Sequence, residues 1–203
     1  QASMAANILA LQAAGCQILL EKPISDSLER IEELQKAAQK RGSKILVGFQ
    51  FRYHPTLNKA RELIQSNAIG KILTVHAHWG EYLPQWHPWE DYRQSYAARE
   101  DLGGGVIRTL THPLDYLRYL IGEVQSVSAM LKTFVTERPL PGKDAGTFKS
   151  GTGASEMGKV TVDDAAFMVA EFENGALGSF ESSRFASGRK NYNYFEIYGS
   201  KGS

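Results

Sequence analysis

The sequence is poor in the features that mark secreted, membrane and nucleic-acid-binding proteins. Its 203 residues include one cysteine, Cys16, so an internal disulfide framework is excluded and a reducing cytoplasm is the predicted location. A run of roughly 18 apolar residues is absent, so no segment is predicted to span a membrane. Lys and Arg number 23 against 22 Asp and Glu, without blocks of like charge. The net charge of +1 therefore argues against nucleic-acid and membrane-surface partners.

The first fifty residues alternate between helix and strand patterns. Helical spacing over residues 4–14 is followed by a predicted buried strand over 17–21. Asp26-Ser27-Leu28-Glu29 fits a capping box, which predicts a helix with Leu28, Ile31 and Leu34 on one face. That helix should end near Gly42, and residues 44–49 read as a second buried strand. This alternation of helices and strands along the chain predicts a parallel sheet.

The rest of the chain predicts a different architecture. Pro55 is placed to begin a helix, and a later helix should end before Gly122. Alternating runs predict strands over residues 72–79, 124–134, 165–172, 176–185 and 192–198. Asn174-Gly175 between two of them is a strong hairpin signal. The Gly/Ser/Lys/Pro-rich stretch 138–160 is interpreted as a mobile loop. A parallel α/β piece therefore precedes a largely antiparallel sheet domain.

Lys22 lies in a Glu-Lys-Pro segment directly after the first predicted strand. Ligands of open α/β sheets sit at the carboxyl ends of strands, where a lysine can hold or protonate a substrate oxygen. Pro23 fixes the backbone after it. A surface lysine at a strand end is the plainer alternative.

His112 follows a run of three glycines, Gly103-Gly104-Gly105. Such a run lets the backbone approach a bulky group or leaves amides free for an anion. Asp115 lies three residues after His112, so both should share one helix face. Histidine titrates near neutral pH and suits proton transfer. A histidine that only caps a helix in a glycine turn is the alternative.

Aromatic and polar residues are concentrated in the predicted loop 80–101. Trp86, Tyr92 and Arg93 suit binding of a polyhydroxylated ligand, although a loop folded on its own aromatics would share this composition. His76 and His78 point to one face of a strand, but a third ligand with suitable spacing is missing, so we predict no metal site. Arg52 and Tyr53 are either structural or ligand-facing.

Taken together, these segments resemble the glucose–fructose oxidoreductase / inositol dehydrogenase / MocA-like family. The resemblance rests on an ordered set: residues 21–23 (EKP), 47–55 (VGFQFRYHP), 69–72 (IGKI), the triple glycine with His112 and Asp115, and 161–165 (TVDDA). It implies an α/β remnant of a Rossmann domain at residues 1–51. It also implies an α+β domain with a large, mostly antiparallel open sheet at 52–203, incomplete at its C-terminus.

The resemblance also implies an NAD- or NADP-dependent hydride transfer at a sugar, amino-sugar or cyclitol carbon. Lys22 and His112 would be catalytic, with the peptide bond before Pro23 often cis. The implied cofactor contacts are Glu21, Lys22, Pro23 and Gln50. The implied substrate contacts are Trp86, Tyr92, Arg93, Arg108, Thr109 and Asp115. Subunits in this family commonly pair through the open sheet face, so a homo-oligomer is expected.

The chain departs from the family pattern in two ways. Many members carry an aspartate three or four residues before the histidine, where this chain has Thr109 and Arg108. A non-catalytic relative that binds a sugar or a protein partner is therefore the alternative function. The family's G-x-G-x-x-G turn is also missing, so we expect an N-terminally truncated fragment that cannot hold a dinucleotide tightly.

Overall fold

A computed structural model describes residues 8, 10, 17–25, 28–82, 98–109, 111–139, 157–185 and 191–203. The chain forms two compact units, Gln1–Gln50 and Phe51–Ser203. Residues 8 and 10 are helical, and the remainder of the predicted helix 4–14 lies outside the described residues.

The first unit is built on two short parallel strands. Strand β1 (Ile18–Leu20) pairs with β2 (Ile45–Val47), and helix α1 (Ile31–Arg41) connects them along the chain. The unit's apolar cluster combines buried Ile8, Leu34, Ala37 and Ala38 with part-buried Ile18, Ile24 and Ile45. The predicted parallel pairing is therefore confirmed.

The prediction that both strands are buried is wrong, because the residues of each strand are part-buried on one face and exposed on the other. Leu19 and Leu46 are opposite each other in the ladder, and they are 72% and 58% exposed. Successive side chains of a strand point to opposite faces, so these two lie on the face away from the cluster. In the described part of the first unit, apolar cover exists on one face of the strand pair only.

The predicted start of helix α1 is wrong. The helix begins at Ile31 after Arg30, whose φ of 62° is left-handed. Leu28 is 91% exposed and takes no part in the apolar face. The first turn is stabilised instead by Arg30, whose guanidinium contacts the Glu33 carboxylate at 2.8 Å. Asp26 and Ser27 lie outside the described residues. The predicted end is confirmed, because Gly42 closes the helix with a φ of 64°.

The second unit is organised on a five-stranded sheet in the order β4-β7-β8-β3-β9. Its strands are β3 (Ile72–Glu81), β4 (Val124–Lys132), β7 (Ala165–Phe172), β8 (Leu177–Ser183) and β9 (Asn191–Gly199). Only β3 and β8 pair in parallel, so the sheet is mostly antiparallel, as predicted. The Asn174-Gly175 hairpin joins β7 to β8, and Gly175 has a φ of 82°.

The helices of this unit lie against one face of the sheet. They are α2 (Pro55–Gln65), α3 (Val106–Thr109) and α4 (Thr111–Ile121), with 3₁₀ turns at Gln50–Tyr53 and Glu100–Leu102. The main core contains buried Leu57 from α2, Tyr116, Leu117, Leu120 and Ile121 from α4, and Val75, Phe172 and Ile197 from the sheet. The prediction that Pro55 begins a helix is confirmed, and His54 Nδ1 accepts from the Thr56 amide at 3.3 Å.

The other sheet face, here called the open face, carries exposed large side chains. Strand register places Met130, Phe167, Val169, Leu177, Tyr192, Tyr194 and Tyr198 on it together. Each of these side chains is between 41% and 79% exposed. His76 and His78 lie on the same face of β3.

The predicted loop 138–160 contains regular structure at both ends. Strands β5 (Glu137–Pro139) and β6 (Met157–Lys159) form a separate antiparallel pair. The Val160 amide extends the ladder by donating to the Thr136 carbonyl at 2.8 Å. The two strands are held together by backbone hydrogen bonds, which the amino-acid composition of the segment does not predict. Residues 140–156 lie outside the described residues. Within the described part of the chain, the helices are all too short or too polar to cross a membrane.

Candidate functional site

In the first unit, Glu21, Lys22 and Pro23 follow β1 directly, as predicted. Lys22 is part-buried, and the Lys22–Pro23 peptide is cis, as the resemblance implied. The end of β2 lies beside this segment, because the Gly48 amide donates to the Leu20 carbonyl at 2.7 Å. A Cβ at position 48 would lie 3.3 Å from that carbonyl oxygen and 3.6 Å from Glu21 Oε1. A larger side chain would therefore crowd the edge where both strands end.

In the second unit, the triple glycine closes around an aspartate. Gly105 has a φ of 119°, and a Cβ there would lie 2.3 Å from Asp163 Oδ1. The Val106 amide donates to Asp163 Oδ2 at 2.7 Å and to the Asp163 carbonyl at 3.1 Å. The glycine run predicted a close approach or an anion at free amides. The close approach occurs, whereas the Gly103 and Gly104 amides donate to the Glu100 and Arg99 carbonyls. The chain's own Asp163 carboxylate is held by the Val106 amide and caps α3.

Asp164 is a second structural carboxylate beside the first. It is 1% exposed, and its oxygens accept from the Phe134 amide at 2.8 Å and the Val135 amide at 2.7 Å. Its backbone joins the edge of the sheet to the end of β8, because the Arg184 amide donates to the Asp164 carbonyl. The 161–165 segment therefore ties the glycine turn to the sheet, a role that its sequence did not reveal.

Arg108 and Thr109, the positions that depart from the family pattern, have different environments. Arg108 is exposed on α3. Thr109 is 5% exposed, its hydroxyl donates to the Gly105 carbonyl at 2.6 Å, and it accepts from the buried Arg184 guanidinium. Both hydrogen-bonding roles of that hydroxyl are used inside the unit. This disfavours a substrate contact for Thr109, and the assignment of Arg108 stays a prediction.

His112 lies in the first turn of α4, part-buried against an aromatic ring. Its imidazole meets Phe51 edge to face, with ring centroids 4.8 Å apart and planes at 81°. Phe51 in turn contacts Trp79 on β3 at 6.1 Å between centroids. The imidazole is therefore held by packing against the Gln50–Tyr53 turn.

Asp115, one helical turn after His112, forms an ion pair with Arg52. Arg52 Nε donates to Asp115 Oδ2 at 2.8 Å, and Arg52 Nη2 donates to Oδ1. The Asp115 side chain is 8% exposed and the Arg52 side chain 42%. Hydrogen bonding to Asp115 raises the pKa of the Arg52 guanidinium above its ordinary value. The guanidinium also lies over the Tyr119 ring at 5.0 Å.

The Arg52–Asp115 pair was not found from the sequence. The two residues are 63 positions apart, and no local pattern links them. Asp115 does share one helix with His112, as predicted. Its assignment as a substrate contact stays a prediction, since both carboxylate oxygens are engaged by Arg52.

Several predicted site residues are not brought together by the described structure. Trp86, Tyr92 and Arg93 lie outside the described residues. Glu21, Lys22, Pro23 and Gln50 belong to the first unit and His112 to the second, so their convergence on one ligand stays a prediction. Where the chain is described, no three His, Cys, Asp or Glu residues form a group that could hold a metal ion.

Comparison with known proteins decides the family. The GFO/IDH/MocA C-terminal domain matches residues 57–203, and the oxidoreductase family with an NAD-binding Rossmann fold matches residues 4–49. The chain belongs to the GFO/IDH/MocA oxidoreductase family. The predicted combination of a Rossmann-type α/β piece with a mostly antiparallel sheet domain is thereby confirmed.

Known oxidoreductases are similar to most of the chain. Levoglucosan dehydrogenase of Pseudarthrobacter phenanthrenivorans is 37% identical over 200 residues, covering 96% of this chain and 50% of that protein. A levoglucosan dehydrogenase structure in complex with NADH and L-sorbose has a TM-score of 0.80 at 32% identity, covering 97% of this chain and 49% of that one. An oxidoreductase domain protein from Kribbella flavida has a TM-score of 0.77 at 35% identity, covering 97% of this chain and 51% of that one. The chain thus spans about half the length of these relatives.

Proposed function

We propose that the intact protein is an NAD(P)-dependent dehydrogenase that transfers hydride at a hydroxyl or carbonyl carbon of a sugar, amino sugar or cyclitol. The observation that carries the proposal is the family match in both units, over residues 4–49 and 57–203. Further support comes from the named activity of the 37% identical relative, which acts on levoglucosan.

We infer that the nicotinamide dinucleotide binds at the end of the parallel strand pair. β1 and β2 end at the same edge, next to Glu21-Lys22-Pro23 and Gly48, and such edges bind nucleotides in open α/β sheets. Glu21, Lys22, Pro23 and Gln50 would hold NAD or NADP there. The bound nicotinamide would supply the hydride acceptor.

His112 is the best candidate for the acid–base group. Its imidazole can take the hydroxyl proton near neutral pH without a large pKa change, whereas a lysine amine would need one. Lys22 would hold the substrate oxygen and stabilise the negative charge that develops on it. Trp86, Tyr92 and Arg93 would shape the sugar site, and Arg108 would line it.

Turnover assays with the intact protein test the proposal. A panel of sugars, anhydrosugars and cyclitols is offered with NAD⁺ and with NADP⁺, and absorbance of the reduced cofactor is followed. We expect turnover with at least one pair. Sugar binding without turnover across the panel would contradict it and favour the non-catalytic alternative.

The role of His112 has its own test. His112→Ala should lower kcat by about 10²-fold or more, the usual contribution of a positioned acid–base group. His54→Asn is the matched control, since it changes an exposed histidine and keeps a residue type that caps α2. A near-normal kcat for His112→Ala would reassign the base.

We also propose that the open face joins two copies of the protein. An apolar and aromatic surface of this kind on a sheet is typical of an interface. Light scattering should give a dimer or larger assembly, and Phe167→Glu with Val169→Glu should lower the mass to a monomer. Leu63→Glu, at a 40% exposed position on α2, is the control and should leave the mass unchanged. A monomeric wild-type protein would contradict the proposal.

A further inference from the structure

The ion pair between Arg52 and Asp115 joins the two elements that hold His112. Arg52 lies in the Gln50–Tyr53 turn and Asp115 on α4, and two hydrogen bonds link them. Asp115 is 9% exposed, so its charge requires a partner. The two-point geometry of an arginine with a carboxylate also restricts the orientation of both elements.

The same two elements form the surroundings of the His112 ring. Phe51 precedes Arg52 in the turn and meets the imidazole at 4.8 Å between centroids. His112 lies one helical turn before Asp115, a spacing that places two side chains on one helix face. Releasing the ion pair would therefore loosen the aromatic contact and leave one unpaired charge near the imidazole.

We propose that Arg52 and Asp115 are positioning residues that orient the His112 imidazole and set the pH range in which it accepts a proton. The inference rests on the proposed function, in which His112 is the acid–base group. Neither residue needs to touch substrate, and this gives Asp115 a role other than the predicted substrate contact.

The opposite charges of Arg52 and Asp115 predict opposite effects on the pKa of His112 when one or the other is removed. Together the two side chains are close to neutral, but removing either leaves a single charge about one helical turn from His112. A lone carboxylate stabilises the imidazolium, and a lone guanidinium destabilises it. Among the described residues, the other ionisable groups on the elements around His112 lie on the helices, the turn and the sheet. They include Arg108 on α3, Tyr116, Arg118 and Tyr119 on α4, Tyr53 and His54 in and after the turn, buried Glu81 on β3, and buried Arg184, which contacts Thr109 of α3. None of these groups is substituted in the experiment below, except Arg118 in the control variant.

The experiment compares Arg52→Gln with Asp115→Asn in the intact protein. The acid side of the pH profile of kcat/KM should move to higher pH in Arg52→Gln and to lower pH in Asp115→Asn, each by about 0.5–1 unit. Because both variants also lose the two-point link, kcat on the plateau should fall by roughly tenfold or more in each. Arg52→Lys keeps the positive charge but loses the two-point hydrogen bonding of the guanidinium. Its pH profile of kcat/KM should therefore stay near that of the wild type while kcat falls.

A spectroscopic measurement keeps the inference testable without turnover. The imidazole NMR titration of His112, assigned by loss of its signal in His112→Ala, should move in the same opposite directions. Arg118→Gln is the control, because it removes a charge from the same helix in an exposed pair with Glu123, and it should leave the midpoint unchanged.

The outcomes separate this inference from the proposed function. Midpoints that move together, or do not move, in the two variants would overturn the positioning role even if His112→Ala is inactive. Opposite shifts in a protein without turnover would support the positioning of His112 while the dehydrogenase proposal fails. Melting temperatures and circular dichroism check that each variant folds, and Arg52→Lys gives a second test of the link should Asp115→Asn unfold.

Discussion

Gly105→Ala tests the physical basis of the glycine turn. Position 105 combines a φ of 119° with an aspartate oxygen 2.3 Å from the place of the new Cβ. Asp163 cannot keep its hydrogen bond to the Val106 amide and also make room for a methyl group. The substitution should therefore strain the backbone and remove the cap of the helix that leads to His112.

The expected loss has two parts. A non-glycine residue in a strained backbone region costs about 1–2 kcal/mol. Losing a hydrogen bond to a charged group costs about 1.5–3 kcal/mol. Gly105→Ala should therefore lower the free energy of unfolding by roughly 2.5–5 kcal/mol. Gly175→Ala is the matched control, since its φ is also positive at 82° but nothing lies within 4 Å of the new Cβ. It should cost only the backbone part, about 1–2 kcal/mol.

Urea unfolding followed by tryptophan fluorescence measures both variants. All three tryptophans, Trp79, Trp86 and Trp89, fall in the sequence range of the second unit, which also contains both glycines. The midpoint of Gly105→Ala should therefore fall further than that of Gly175→Ala at an unchanged slope.

A double-mutant cycle isolates the contact with Asp163. In an Asp163→Ala background the steric conflict is gone, so Gly105→Ala should cost no more than the control substitution. Equal losses for Gly105→Ala with and without Asp163, or equal losses for the two glycine variants, would refute the reasoning.

Two further predictions concern buried polar groups. Asp164→Ala should lower the free energy of unfolding by about 2–4 kcal/mol, because two backbone amides lose their acceptor. Asp101→Ala is the control at an exposed site and should leave the urea midpoint unchanged. Equal midpoints for the two variants would argue against a stabilising role of the Asp164 hydrogen bonds. Burial raises the pKa of Tyr116 to about 12 from 10.0, so the folded protein holds the phenolic proton more tightly than the unfolded chain. The contribution of this shift to the free energy of unfolding should be complete below pH 10 and disappear as the pH rises towards 12, a decrease of about 2–3 kcal/mol. In Tyr116→Phe this alkaline decrease should be absent. An identical alkaline decline in Tyr116→Phe would assign the loss to other groups.

Local patterns in the sequence were enough for most helices and strands. Pro55, Gly42 and Asn174-Gly175 each impose a backbone preference that the tertiary structure obeys. The capping box at residues 26–29 failed as a signal, since a left-handed Arg30 moves the helix start to Ile31. The pair β5–β6 was missed because it depends on backbone bonds between segments that lie far apart along the chain.

In the candidate site, too, local features could be predicted from the sequence and contacts between distant residues could not. Sequence order was sufficient to single out Lys22 after β1 and to place His112 and Asp115 on one helix, because strand ends and helical spacing are local properties. It could not pair Arg52 with Asp115, Asp163 with Gly105, or Thr109 with Arg184. Each of these pairs joins segments that are distant along the chain and are brought together by the tertiary structure. Residue types and spacing thus determined which groups can do chemistry, and long-range packing decided which charges they face.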